Sequence, residues 1–545
     1  MIYLDIETNM KHNTIWLCVT QKGSEVIHWR DPKGLQEYIG DDQVCAHNGI
    51  GFDYPILRQV WGVKIRKSQA IDTLIMSRLH NPVIEGGHSL KSWGKRLGFE
   101  KMEFDITDFD GGWTQEMADY CERDVAVLAH LHKHLEAEFD KWKDAKPSLE
   151  LEHEVAIILS RMERTGFSID TEMANAMEYD LVLEMDTIKD SLQSVFPPIV
   201  EERWSEKTGK RLKDKVVIFN PASRKQIAER LEGLGVDFDK YTEKGNVIID
   251  DAVLNRVAEE YKLEEAELLA RYFWLQKRHG LVTSWLKATK DDGRVHGRIN
   301  SIGAVTNRCT HMSPNMAQIP SDKECRELWN VGSGRRLVGS DLSGIELRCL
   351  AHYMRDDRYT KTLLEDDIHK ANQKAAGLPT RADAKTFIYA FLYGAGEAKL
   401  GSIVGGSSKE GAKLKNAFFR KIPAMKKLID KVKRLAGSGW IPALDGRHIQ
   451  VRSEHSALNM LLQAAGAIVA KQWLVESQRQ VVKQGLDAKL VAFVHDETQW
   501  DCAAEDADKL AKLLVEAAET AGEQLGFRLP VAAESAIGYT WADTH

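Results

Sequence analysis

The sequence predicts a multidomain α/β protein, and three observations carry that prediction. The chain has 545 residues, more than the roughly 250–300 residues a single hydrophobic core can serve. Short apolar strands alternate with long helical stretches along it, a mixed texture in which both periodicities occur. Carboxylates recur on or beside apolar strands at widely separated places, as in Leu4-Asp5-Ile6-Glu7 and Val338-Gly339-Ser340-Asp341. Rigid sheets are therefore expected to present acids.

In chain order, residues 1–70 read as strands and turns: MIYLDIET, NTIWLCVT, EVIHW and QVCAHN. Between Ser89 and Leu135 the pattern turns helical. Leu149 to Val195, after Pro147, reads as one long helical stretch closed by Pro197-Pro198. Trp204 to Lys215 is polar and reads as a loop. Helical spacing resumes in SRKQIAERLEGLG and in LEEAELLARYFWLQKRHGLVTSWLKA. Gly293 to Asp341 returns to strands and turns, Asp356 to Gly439 is mainly helical, and the remainder is mixed. Boundaries fall near 146, 290, 355 and 458.

Composition excludes several classes. Apolar content of 43% and charged content of 28% are those of a globular protein. No window reaches the roughly 20 uninterrupted apolar residues of a membrane helix, and Met1-Ile2-Tyr3-Leu4-Asp5 has neither the basic lead nor the apolar run of a signal peptide. The seven cysteines are scattered without a C-x-x-C pair. That argues against structural zinc and a disulfide framework and favours a reducing cytoplasm. Net charge is −7, yet Lys409 to Arg434 holds ten basic residues against Glu410 and Asp430. A second basic stretch runs from Arg203 to Lys215. Either run alone is most simply a solvated helix face, so composition leaves function open.

Asp5 and Glu7 stand two apart in an apolar strand, so alternation points both to one face. Side by side they repel, and each loses solvation unless a cation lies between them. Asp53 follows in HNGIGFDYPIL and Asp124 in YCERDVAVL, with Tyr120 one helical turn before it. Hard oxygen ligands without a His or Cys cluster suit Mg²⁺ or Mn²⁺. A lone D-x-E is weak; followed in order by N-x-x-x-F-D and Y-x-x-x-D, it points to phosphodiester cleavage on paired ions.

A second acidic set begins with Asp341, after an apolar strand and before the helical DLSGIELRCLAHYM. Later, LVAF and TQW flank Val494-His495-Asp496-Glu497, a hairpin tip carrying acids. An ordinary polar turn is the lesser reading of this segment even alone; with Asp341 it offers two aspartates able to hold a metal pair for phosphoryl transfer. Between them, Arg381, Lys385, Tyr389 and Tyr393 recur every fourth residue. On a helix they cover an arc of about 120°. The cations suit a triphosphate and the phenols suit a base.

Together DLSGIELR, R-x-x-x-K-x-x-x-Y-x-x-x-Y-G and VHDE resemble motifs A, B and C of family A (Pol I-like) DNA polymerases. The wording of ELRCLAHYM and AKTFIYAFLYGAG is most like the replicative enzymes of T-seven-type phages, and the likeness covers essentially the whole chain. The N-terminal set resembles the DEDD 3′→5′ exonucleases, of the subgroup with tyrosine in the last motif. The resemblance implies an exonuclease domain over 1–145, then a right-hand polymerase: thumb 146–290, palm 291–354 and 459–545, fingers 355–458. It implies two ions per site, held by Asp341 and Asp496 in one and by Asp5, Glu7, Asp53 and Asp124 in the other, with Tyr120 orienting the attacking water. Arg381, Lys385 and His369 grip the triphosphate, Lys385 also protonating the leaving group, while Tyr393 stacks near the templating base. Glu346 is the gate against ribose, closed by Tyr389, whose phenol implies tolerance of dideoxynucleotides. Arg308, Asn459, Gln463 and His495 contact the minor groove or primer end.

Two departures matter. The related pattern T-G-R is Thr306-Asn307-Arg308 here, which predicts a different backbone turn. Only the short stretch Phe196 to Asn220 stands where the T-seven-type enzyme carries a thioredoxin-recruiting insertion, so no thioredoxin clamp is expected. Because the sequence starts at the exonuclease motif, no 5′-nuclease domain is expected either. The implied ligands are primer–template DNA and dNTPs, the implied partners a phage helicase, primase or single-strand binding protein, and the place of action the host bacterial cytoplasm. Rival readings are a nuclease whose second half only binds DNA, which primer extension with Asp341→Asn separates, and a lesion-bypass polymerase, which a complete set of nuclease acids disfavours. A non-enzymatic scaffold has no use for two clusters of acids.

Overall fold

The computed structural model describes residues 1–102, 110–451 and 453–545. Its contacts divide the chain into two compact units, one of residues 1–167 with 296–545, the other of residues 168–295.

The first unit contains two sheets that matter for function. Strands β1 (Ile2–Thr8), β2 (Ile15–Lys22), β3 (Glu25–Trp29), β4 (Val44–Ala46) and β5 (Ala70–Asp72) lie in the order β3-β2-β1-β4-β5. The pairs β1/β2 and β2/β3 are antiparallel, and β1/β4 and β4/β5 are parallel. Burial alternates along β1: Ile2, Leu4, Ile6 and Thr8 are buried, while Tyr3, Asp5 and Glu7 are half-buried on the opposite face. A strand of period two with one apolar face does this, and it puts both carboxylates together. Helix α1 (Gln115–Phe139) starts where the Thr114 side chain accepts from the Met117 N–H, an N-cap that satisfies a free helix donor. Leu128, Leu131 and Leu135 bury one face of α1 in a core shared with Leu4, Ile6 and Val44.

Helix α2 (Lys146–Thr165) carries Pro147 in its first turn, where a missing N–H costs nothing. It ends at Gly166, whose φ of 66° is left-handed, and the chain then runs extended over Phe167–Ile169. The stretch read as continuous to Val195 is therefore two helices. A glycine at a positive φ that other residues avoid stops the first, and Asp170 caps the second (Thr171–Val195) by accepting from the Met173 N–H at 2.9 Å.

The second sheet comprises β6 (Arg335–Leu342), β7 (Ala488–Val494), β8 (Glu497–Ala503) and β9 (Ala533–Gly538), antiparallel throughout in the order β7-β8-β6-β9. Helices α3 (Ile345–Met354), α4 (Arg381–Leu392) and α5 (Ala457–Gln484) share a core with it that includes Val338, Ile345, Phe387, Phe391, Trp473 and Phe493. Helix α5 is apolar nearly all round, as a central helix must be.

The second unit is built on the helices Thr171–Val195 and Glu264–Ala288, linked by Arg271, which donates to both oxygens of Glu184 at 2.7 and 2.9 Å. Its segment read as a loop is instead an antiparallel hairpin, Ile199–Trp204 with Arg211–Val217. Every residue of the first strand is exposed. A ribbon wet on both faces needs no apolar alternation, so it leaves no period-two signal.

Candidate active sites

Asp5 and Glu7 converge with Cys121 of α1, their nearest ligand atoms lying within 4.8 Å of one another. The Cys121 Sγ donates to Asp5 Oδ2 at 3.5 Å. Asp124 is buried one turn along, and Asp53 is buried at the first residue of a short helix after the HNGIGF loop. That loop is fixed by a residue the sequence reading passed over. Asp72, fully buried at the end of β5, accepts from the backbone N–H groups of Asn48 (2.9 Å), Ile50 (3.1 Å) and Leu74 (2.9 Å).

The four acids resist ionisation together. Burial, then the charges of Asp53, Glu7 and Asp124, push Asp5 well up; burial, then Asp124, takes Glu7 to about 7. Asp53 is pushed up to about 8, burial leading, and Asp124 is raised for the same reason. Asp53 Oδ1 and Asp124 Oδ1 are buried without a hydrogen-bond partner among the described residues. Such oxygens and such crowding fit a divalent cation. One native cation is already present: Lys101 pairs with Asp124 and sits 4.8 Å over the Tyr120 ring. No motif flagged Lys101, because its distance from the acids in sequence hides the contact.

The second site lies at one end of the β7-β8-β6-β9 sheet. Register places Asp341 opposite Glu497 on β8 and Glu534 on β9, and the Leu342 N–H donates to the Asp496 carbonyl at 3.1 Å. Asp341 at the end of β6 and Asp496 in the β7–β8 turn are thus neighbours. Asp341 keeps an exposed side, yet partial burial, then the charges of Asp496, Glu497 and Glu534, raises it to about 7. Burial, then Glu346, raises Asp496 to about 6. Glu497 is engaged elsewhere: Gln499 Nε2 (2.7 Å) and Trp541 Nε1 (2.5 Å) donate to it and His545 lies 3.0 Å away. Glu497 is thus held by its own partners, and His495 of the same turn takes a left-handed φ of 58°.

Around them stand the other predicted residues. Glu346, in the first turn of α3, accepts from the Tyr393 hydroxyl at 3.3 Å and faces Arg308 at 3.6 Å. Arg308, His495 and Asp496 line one recess with Lys471. Asn459 and Gln463 are half-exposed, whereas every other residue from Ala457 to Lys471 is buried, so α5 shows one polar edge. On α4, Arg381, Lys385 and Tyr393 are exposed and Tyr389 half-buried, with Ala384, Phe387, Ile388 and Phe391 in the core. The Thr380–Asp383 capping box starts that helix. Arg381 Nε donates to Asp367 Oδ2 at 2.6 Å, and the His369 and Tyr389 rings are 6.3 Å apart. The turn at Asn307 has φ 58°. That is the region glycine favours and asparagine tolerates best among other residues, so the T-N-R spelling keeps a glycine-like backbone.

Among the described residues, no helix is long and apolar enough to cross a membrane. The chain resembles the DNA-directed DNA polymerases of Enterobacteria phage T3 (31% identical) and Escherichia phage T7 (32%), each match covering 92% of both chains. It is 28% identical to DNA polymerase I of Aquifex aeolicus over 99% of this chain and 95% of that one. A solved structure, the POL domain of Pol1 from M. smegmatis in complex with DNA primer-template and dNTP, superposes with a TM-score of 0.84 at 18% identity, over all of this chain and 96% of that one. The family model for DNA polymerase family A matches residues 200–543, and the chain belongs to that family.

Proposed function

We propose that the chain extends a primer on a DNA template at the Asp341–Asp496 centre and removes 3′-terminal nucleotides at the Asp5–Glu7–Asp53–Asp124 centre, as a phage replicative polymerase that proofreads. The observation that supports this reading is the pair of acid clusters, one with Asp5 and Glu7 on β1 and one with Asp341 on β6, whose acids are raised in pKa by burial and then by neighbouring acids. The experiment that tests it is primer extension and primer degradation by the same preparation, with the acid variants argued in the Discussion.

In this reading residues 1–145 form the exonuclease, 146–290 the thumb, 291–354 with 459–545 the palm, and 355–458 the fingers. The acids would hold two Mg²⁺ or Mn²⁺ ions per site, which supply activation of an attacking oxygen and charge stabilisation of the leaving one. The protein's own groups do the rest. Arg381 and Lys385 bind the triphosphate oxygens, Arg381 exchanging its Asp367 partner for phosphate, with His369 beside them. Lys385, a proton donor on the leaving-group side, returns a proton to pyrophosphate. Tyr389 and Tyr393 close over the base. Arg308, Asn459, Gln463 and His495 test the minor groove, where acceptors recur at similar places in every correct pair. In the other centre Tyr120 orients water.

Glu346 excludes the ribose 2′-hydroxyl by occupying that space, and its bonds to Tyr393 and Arg308 hold it there. Glu346→Ala is expected to raise ribonucleotide incorporation relative to deoxynucleotide by about tenfold or more, a difference of 1.4 kcal/mol or more. Competition between dCTP and CTP measures it, and unchanged selectivity removes the gate assignment.

Stability supplies a test of cation binding that needs no turnover. Asp341 and Asp496 hold a proton more tightly folded than unfolded, where an aspartate titrates near 3.9. The folded chain then binds more protons between about pH 4 and pH 7, so metal-free stability falls as pH rises through that window. A divalent cation replaces the proton. Added Mg²⁺ is expected to raise Tm more at about pH 8 than at about pH 5; equal shifts at both would sink the cation assignment.

A further inference from the structure

Lys471, which lines the same recess as Asp496, belongs to a buried ionic cluster that no motif marks. Glu152 of α2, Arg447, Lys471 of α5 and Asn307 are each at most 1% exposed, and the Asp445 side chain is 3% exposed. Lys471 Nζ donates to both Glu152 oxygens at 2.7 and 2.9 Å. Arg447 donates to Asp445 Oδ2 from Nη2 at 2.7 Å and to Glu152 from Nη1. Two anions thus neutralise two cations drawn from three distant segments.

Both cations also converge on one neutral residue. Arg447 Nη1 donates to Asn307 Oδ1 at 3.0 Å, and Lys471 Nζ donates to the Asn307 carbonyl at 2.9 Å. The Asn307 amide nitrogen donates to the Val305 carbonyl at 3.3 Å, closing the turn on itself. Hydrophobic residues of the same volume would hold the fold at least as well as four buried charges. What they could not supply is two aimed donors on a left-handed turn. The next residue, Arg308, leaves the cluster for the recess it shares with His495 and Asp496, facing Glu346 at 3.6 Å.

We propose that Asn307, gripped by the Glu152–Asp445–Arg447–Lys471 cluster, is a positioning residue for nucleotide addition: it fixes the turn from which Arg308 reaches the primer end. This rests on the reading of Asp341–Asp496 as the polymerising centre. Asn307 touches no substrate and acts through Arg308. Glycine at 307 would keep the backbone free to form the turn but would release the side-chain anchor to Arg447. Misplacement of a substrate-orienting group by about 1 Å is enough for a large rate effect.

The test is a double-mutant cycle on single-nucleotide addition to a matched primer. Asn307→Gly is expected to lower kcat/KM about tenfold, and to have less than about twofold further effect in an Arg308→Ala background. A role in folding alone would instead multiply in full with Arg308→Ala, and that result overturns the proposal. So does Asn307→Gly or Arg308→Ala indistinguishable from the wild type. Should Asn307→Gly not fold, Arg447→Lys serves: it keeps the charge facing Asp445 and Glu152, is too short to reach Asn307, and is expected to show the same dependence on Arg308. Asp341→Asn, run in parallel, separates the two levels. Extension surviving in Asp341→Asn removes the assignment of the centre, whereas extension lost in Asp341→Asn but unaltered in Asn307→Gly removes the positioning role alone.

Discussion

Primer extension by Asp341→Asn or Asp496→Asn is expected to fall by about 10³-fold or more, the scale set by losing a preorganised charge at the reacting centre. Asparagine keeps the volume and one oxygen but removes the negative charge that a cation requires. The same substitutions remove a charge that its surroundings disfavour. Asp341 is raised to about 7 by partial burial and then by Asp496, Glu497 and Glu534, so at about pH 8 it is ionised in surroundings that oppose the charge. Without divalent cations, Asp341→Asn is therefore expected to unfold at a higher temperature than the wild type. Loss of activity with a gain in metal-free stability is the signature of a site whose acids are placed for function at the expense of the fold. A variant that lost activity and stability together would indicate a structural aspartate. Stopped-point primer extension and thermal unfolding in chelator, on the same samples, give the two readings.

The parts of these sites legible in the sequence are those whose chemistry is local. Asp5 and Glu7 share a face because a strand alternates, and Arg381, Lys385, Tyr389 and Tyr393 share one because a helix nearly repeats every fourth residue. The hairpin tip at His495-Asp496 followed from apolar runs on both sides. What sequence could not show depends on partners far along the chain. Asp72 looks like any strand-end acid, yet it holds the loop that delivers Asp53. Lys101 meets Asp124, and Glu152 meets Arg447 and Lys471, only after folding. Buried charges have no period, because each is tolerated by one opposite charge rather than by a face. Two elements were misread for opposite reasons. Gly166 broke a helix that periodicity on either side made continuous, and the Ile199–Val217 ribbon, exposed on both faces, lacked the apolar alternation by which strands are recognised.

Asp5→Ala combined with Glu7→Ala is expected to reduce degradation of a mismatched primer by about 10³-fold or more while extension of a matched primer stays within about twofold. The separation follows from architecture. Asp5 and Glu7 stand on β1, whose apolar face joins a core of Val44, Leu128 and Leu131; Asp341 and Asp496 stand on a different sheet, over Val338, Phe387 and Phe493. Neither carboxylate is packed in that core, so truncation leaves no cavity in it and the main cost is removal of charge. The double variant also frees Lys101 from part of its field, since Asp5 and Glu7 both draw on that ammonium; Asp124 is left as its dominant partner, and the pair becomes an inert ion pair where a cation would otherwise bind. Extension past a terminal mismatch should rise in consequence, because a misplaced nucleotide is no longer removed before the next is added. If both activities vanished together, the two clusters would be one functional unit, and the division of labour argued from the two sheets would be wrong.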